Sequence, residues 1–376
     1  MTPARVRQVC VGVLLTSTVV SGLRASPLLD SWSATGSMAV PRTQHSAARL
    51  QDGRVLATGG ITVGGTTATA EIYDAGTGTW TLTGSMTAPR SRQTQTVLGD
   101  HRVLVTGGRF RGLSLSSAEI YDPATGVWSP AADMHVPRDD HSATLLADGR
   151  VLVTGGVSGG DGGSPAEKTV EIYDPARDTW TVADHMFLAR FNHAATLLQD
   201  GRVLVTGGFN IGANHVASKD AELYDPVADR WSQIANMKTP RATHVAILLA
   251  DGRVLVAGGW TQPPNVITLT DSAESYDPTT STWSAAPGLP ERRGSLLNQV
   301  VVLSNGDVLA TGGRLDSGTT NTAVRYDALS ETWGAAASML QPRSGATAVL
   351  LADGRVLIAG GGNAAGILTS AEIYWP

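Results

Sequence analysis

A chain of 376 residues with a net charge of −5 has no global basic field, which argues against a nucleic-acid partner. Forty-three Gly and eighteen Pro beside a 42% hydrophobic content suit short strands, many tight turns and a sizeable buried core. The single cysteine, Cys10, rules out an intrachain disulfide.

The chain opens on a segment unlike the rest. Arg5 and Arg7 precede an uncharged apolar run from Val9 to Val20, and small residues follow at Ser21, Gly22, Ala25 and Ser26. This pattern predicts a signal peptide over 1–25, cleaved near Gly22 or Ala25, and a mature protein that is secreted, periplasmic or on the cell surface. The run is shorter than the roughly 20 residues of a spanning helix, so no membrane span is expected in the mature chain. Cys10 would leave with the peptide, and with it any thiolate ligand or nucleophile.

From there to the end the sequence is one unit repeated seven times. Tryptophans recur at 32, 80, 128, 180, 231, 283 and 333, at intervals of 48, 48, 52, 51, 52 and 50. Ten residues after each stands an arginine: Arg42, Arg90, Arg138, Arg190, Arg241, Arg293 and Arg343. A Gly-Gly pair begins 17 residues after the arginine in six copies and 19 after it in the sixth. Within a unit, "HSATLLADGRVLVTGG" (141–156) reads as two apolar strands joined by Asp148-Gly149, a hairpin turn whose central residues need positive φ. "AEIYDP" (118–123) marks a third strand, and the tryptophan opens a fourth. Named a to d from the hub outward, these predict an all-β, seven-bladed propeller with four-stranded blades, one domain over 26–376. A lone Trp32 strand precedes the first hairpin and none follows Tyr374. The N-terminal strand is therefore expected to complete the last blade and close the ring.

The spacing also separates the two faces. Tyr to Trp is always 7 and Trp to Arg always 10, whereas first Gly to Tyr runs 14, 14, 18, 17, 18, 14 and 14. In an up-and-down meander this variable b–c loop shares a face with the d–a turn that carries the arginine. Variable loops on a rigid scaffold are where binding resides. The expected ligand-binding residues are the seven arginines (Arg42, Arg90, Arg138, Arg190, Arg241, Arg293 and Arg343), Arg92 beside Arg90, and the loop residues Arg109, Phe110, Phe209, His215 and Trp260. For the sevenfold arginine, a structural role bonding loop carbonyls stands beside the ligand-binding one. For Trp260, packing over the neighbouring blade stands beside a ligand platform. His45, His141, His193 and His244 share a repeat position, but they have no carboxylate or cysteine partner at ligand spacing, so blade-to-blade packing is expected and no metal.

The period near 50, the paired glycines and the Trp–Arg spacing resemble the kelch-repeat family over about residues 30–376. In kelch domains that bind acidic peptides, arginines at this turn and two residues on take part in contact, and Arg90 with Arg92 matches that pattern. The expectation is a recognition module for a peptide, a protein loop or a glycan, a monomer without a cofactor. Kelch propellers also include copper radical oxidases similar to galactose oxidase, whose cofactor uses a tyrosine cross-linked to cysteine; a mature chain without cysteine does not form it. A carbohydrate-active enzyme resembling the sialic-acid epimerases of kelch type is the alternative. It would need an acid–base pair in the mouth, and no pair such as Glu167 with His215 stands out from spacing.

Overall fold

The computed structural model describes residues 29–160, 165–210, 216–261 and 268–376. The predicted signal peptide and the candidate His215 lie outside the described residues. Seven four-stranded antiparallel sheets form the blades, and no helix occurs among the described residues. In blade 2, strand a is Thr94–Val97, b Val103–Thr106, c Ala118–Asp122 and d Val127–Ala131. The other blades repeat this order.

Strand b of blade 2 reads Val-Leu-Val-Thr, and all four residues are buried. β-Branched residues fit a pleated surface packed on both sides. The side chains of one blade interdigitate with those of the next: Leu152 and Ile172 of blade 3 share a cluster with Val203, Val205, Tyr224 and Trp231 of blade 4. The a–b turns fall where predicted, but their type differs from the expectation: at Asp148-Gly149 only Gly149 takes positive φ, 86°, and its N–H donates to the Leu146 carbonyl at 3.0 Å. Asp148 accepts the Arg150 backbone N–H at 3.0 Å and the Arg150 Nε–H at 2.8 Å, which ties the arginine two residues on into the same turn.

Ring closure follows the sequence expectation. Ser31–Ala34 pairs antiparallel with Ala371–Trp375, with Trp32 opposite Tyr374. Residues 342 positions apart thus form the c–d pair of blade 7, and that sheet has no free inner seam.

The paired glycines have a steric reason. Gly107 and Gly108 lie at φ 60° and 97°, and a Cβ on Gly107 would stand 2.4 Å from the carbonyl oxygen of Arg138 in the next blade. The Gly108 N–H donates to that same oxygen at 2.9 Å. Two blades therefore touch backbone to backbone where any side chain would hold them apart.

Candidate functional site

The d–a turn places the repeated arginine inside the blade instead of at the mouth. All seven of these arginines are 0–1% exposed. Arg90 Nη1 donates to the carbonyls of Gly107 (2.8 Å) and Ser117 (2.9 Å), and its Nη2 meets Glu119 Oε1 at 2.7 Å. Glu119, on strand c, also accepts the backbone N–H groups of Thr87 and Ala88. Burial draws the Arg90 guanidinium below its ordinary range, and Glu119 opposes that shift. The same pairing joins Arg42 to Glu71, Arg138 to Glu171, Arg190 to Glu222, Arg241 to Glu274 and Arg343 to Glu372. The ligand-binding expectation for Arg42, Arg90, Arg138, Arg190, Arg241, Arg293 and Arg343 is therefore corrected. A fully buried guanidinium, its Nη groups taken by carbonyls and a carboxylate, is out of a ligand's reach, and it locks the turn to its own blade.

Two residues beyond each arginine the backbone takes a left-handed conformation: Gln44, Arg92, Asp140, Asn192, Thr243, Ser295 and Gly345, at φ 49–65°. In five of the seven the N–H reaches the carbonyl of its counterpart in the preceding blade, and the Ser295 N–H reaches Thr243 Oγ1 instead. Arg92 donates to the carbonyl of Gln44 (3.0 Å), Asp140 to Arg92 (3.3 Å), Asn192 to Asp140 (3.0 Å) and Thr243 to Asn192 (3.0 Å). These seven residues ring the mouth of the central channel. No residue type is used twice, and all but Gly345 carry a polar side chain, a signal readable in the sequence once the column is aligned. Sequence reasoning found only Arg92 as a contact residue.

Below the ring lies a cavity of about 400 Å³. Arg92, Asp140 and Asn192 line part of it, from blades 2 to 4, and Ile247, Leu297 and Val300 line another part, from blades 5 and 6, with the buried Val245 and Leu296 behind them. Arg92 Nε donates to Gln44 Oε1 at 3.0 Å, and Nη1 to Asp140 Oδ2 at 3.2 Å. Burial pushes the Asp140 carboxyl up to about 6, against the pull of Arg92. The histidines deeper in the wall are fixed between blades. His193 Nε2 shares a hydrogen bond with Thr154 Oγ1 (2.9 Å), and His244 Nε2 with Thr206 Oγ1 (2.9 Å). Burial lowers His45 and His193 to about 3, so they stay neutral. Among the described residues no group of three or more His, Cys, Asp or Glu is arranged to hold a metal.

The remaining loop candidates sit on the same face but do not converge. Arg109 Nη2 donates to the Gly112 carbonyl (3.0 Å), and its Nη1 lies 3.5 Å from Asp139 Oδ2. Phe110 lies under the Arg111 guanidinium at 5.1 Å. Phe209 packs against Phe191, ring centroids 5.5 Å apart. Trp260 reaches over the next blade, its Nε1–H donating to Ser295 Oγ at 3.4 Å beside Gly294. That is the packing role, and it leaves the indole half-buried.

A family model described as the Kelch motif matches four stretches, residues 92–135, 141–186, 190–238 and 241–290. Human Kelch-like protein 23 is 31% identical over 193 residues, 51% of this chain and 32% of that protein. Beta-scruin of Limulus polyphemus is 29% identical over 206 residues, 52% of this chain and 21% of that protein. The matched region thus spans about a third or less of the length of these relatives. Among solved structures, a fungal alcohol oxidase of the AA5 family in complex with copper superposes with a TM-score of 0.72, at 19% identity over 92% of this chain and 76% of that one. YjhT superposes with a TM-score of 0.61, at 16% identity over 80% and 99%. Both likenesses concern the fold alone. With the motif model on half the chain and the same repeat evident in the three blades outside it, this chain belongs to the kelch-repeat family.

Proposed function

We propose that this protein-interaction propeller is an exported recognition module, whose b–c/d–a face takes a segment of a partner carrying an acidic group next to an apolar one. The observation that carries the reading is the two-sided cavity under the ring. Arg92 and Asn192 offer polar contacts on one wall, and the accessible Leu297, with the half-buried Ile247 and Val300, offers apolar contacts on another. A protein segment supplies both chemistries within a few residues, whereas a glycan lacks the aliphatic part. Leu297 is 42% exposed at the mouth. Export is supported by the basic Arg5–Arg7 segment and the apolar run that follows it.

The test is an array of acidic peptides and glycans, probed with residues 26–376 and with an Arg92→Ala/Leu297→Asp variant of the same melting temperature. Acidic, apolar peptides bound by the parent and lost in the variant support the reading. Ligands bound equally by both place recognition elsewhere and sink it. N-terminal sequencing of the exported protein checks processing near Gly22 or Ala25. The carbohydrate-active alternative has one observation in its favour, the raised Asp140 carboxyl at a polar cavity wall. Turnover of a sugar substrate abolished by Asp140→Asn would establish it.

A further inference from the structure

Within the mouth, one arrangement belongs to neither the fold nor its repeat. The left-handed ring needs only backbone groups, yet Arg92 and Asp140, on successive blades, also join side chains across it. Both are singular in their column, whose other members are uncharged. Arg92 keeps 35% of its side-chain surface exposed and Asp140 keeps 16%, so the pair sits at the boundary between cavity and solvent. The guanidinium is divided between Gln44 Oε1 and Asp140 Oδ2, and the Asp140 contact at 3.2 Å is a single long one. A planar guanidinium prefers a two-pronged, shorter carboxylate contact. Asp140 is held away from that geometry by its place in the ring.

We propose that Asp140 holds, in the free protein, the place at Arg92 that a ligand carboxylate takes, so that anion binding there is coupled to uptake of one proton by Asp140. The inference rests on the mouth reading above. A carboxylate ligand that takes over Arg92 leaves Asp140 beside a second negative charge in a poorly solvated wall. The neutral form of Asp140 is then favoured, and the proton comes from solvent. The charged groups facing Asp140 among the described residues are few. Arg92 and Arg109 come from blade 2, and Asp139 is its chain neighbour. Asn192, next in the ring, is uncharged. His141, the following residue, is held neutral by burial well below the usual imidazole range. Asp139 adds to the effect: it is fully buried, its Oδ2 accepts from Ser114 Oγ at 2.7 Å and lies near Arg109, and its Oδ1 has no partner. In the free protein the two adjacent carboxylates are balanced by the guanidiniums of Arg92 and Arg109. A ligand carboxylate at Arg92 adds one negative charge, and protonation of Asp140 restores the balance.

The experiment follows the Arg92 Nε–H signal in arginine-labelled protein while glutarate is added at pH 5.5, 6.5, 7.5 and 8.5. The same series is run on Asp140→Asn, which keeps the shape and tolerates a left-handed backbone. In the parent, glutarate affinity is expected to fall by up to about tenfold per pH unit above 6, as for one linked proton. Asp140→Asn is expected to bind with little pH dependence, and at least about tenfold more tightly than the parent at pH 7.5. A flat parent profile, or an Asp140→Asn variant no tighter than the parent, overturns the proposal. So does an Arg92 signal that glutarate leaves unmoved in Asp140→Asn at pH 5.5. The Asp140 carboxyl carbon, followed without ligand, gives an independent reading, and titration near an ordinary aspartate value refutes the linkage. A partner peptide lost in Arg92→Ala/Leu297→Asp, yet bound equally by the parent at all pH values, would refute the linkage and leave the mouth reading standing.

Discussion

In blade 2 the buried Arg90 meets Glu119 on strand c, whereas in blade 6 the equivalent Arg293 finds Val324 there and takes Glu291 from its own turn. The difference extends through the blade. Leu296 replaces the buried histidine and packs in one cluster with Ala257 of blade 5, where His193 and His244 face threonines. On the opposite face Asp307 stands where other a–b turns have arginine, and Arg325 from strand c restores the pair at 2.7 Å. Two extra residues between Arg293 and Gly312 bring Leu297 and Asn298 to the cavity, and the Asn298 carbonyl accepts from the Ala348 N–H of blade 7 at 2.7 Å. What is retained across these changes is a compensated charge and a filled volume, and the residue types that supply them are interchangeable. Blade 6 is also where the cavity wall turns apolar. The blade released from the shared pattern is the one that contributes the singular part of the mouth.

The sharpest way to break this comparison is to remove the acid from a regular blade. Glu119→Ala leaves a fully buried guanidinium unpaired and is expected to cost about 3–5 kcal/mol, read as a lowered urea midpoint. Glu291→Ala in blade 6 should cost less than half as much, because Glu291 is 36% exposed and water reaches its place. Equal losses would mean that blade 6 is not relieved of the constraint.

Acid offers a second test. His45 and His193 have folded values near 3, far below the ordinary 6.5, so below pH 6.5 the unfolded chain takes up protons that the folded one refuses. Stability is therefore full above 6.5 and lost as pH falls towards 3, by about 1.4 kcal/mol per pH unit for each histidine. His141 and His244 shift the same way. Asp140 acts oppositely: its folded value near 6 exceeds the ordinary 3.8. Its contribution is present below 3.8 and lost as pH rises through 6, which offsets about one histidine. Urea midpoints at pH 7 and 5 should fall steeply between the two, and a flat response would show that the histidines are not held neutral.

The smallest expected effect sharpens the comparison most. His193→Leu with Thr154→Ala copies the junction between blades 5 and 6 into blades 3 and 4. It should change stability at pH 7 by no more than about 1 kcal/mol, since a polar pair is exchanged for a filled apolar one. The acid slope should drop by one proton. A large loss at pH 7 would show that blade 6 depends on further changes.

Much of this was legible because the chain states its pattern seven times. The Trp–Arg and Gly-Gly spacings located every blade, and the orphan Trp32 strand located the closure that Trp32 and Tyr374 make. The variable Gly-to-Tyr interval identified the face with the cavity. The arginines were harder. A column of seven arginines is equally compatible with a charged mouth and a buried lock, and the reading as ligand contacts overlooked the glutamate in "AEIYD". The signal existed: the copy with Val324 in that place is the copy with Glu291 two residues before its arginine. For the aromatic loop residues the spacing was silent on packing, since Phe209 and Trp260 find their partners Phe191 and Ser295 across gaps that no spacing encodes.

The sequence by itself determined the repeat, the strand order, the turn positions and the end-to-end closure, because these depend on local propensity and on periods of two and of about fifty residues. Only the tertiary structure decided which polar side chains face a ligand. A side chain's exposure depends on what the neighbouring blade places against it. The ring that turns Arg92 and Asp140 toward each other is made by backbone hydrogen bonds between residues 48 to 52 apart in the chain.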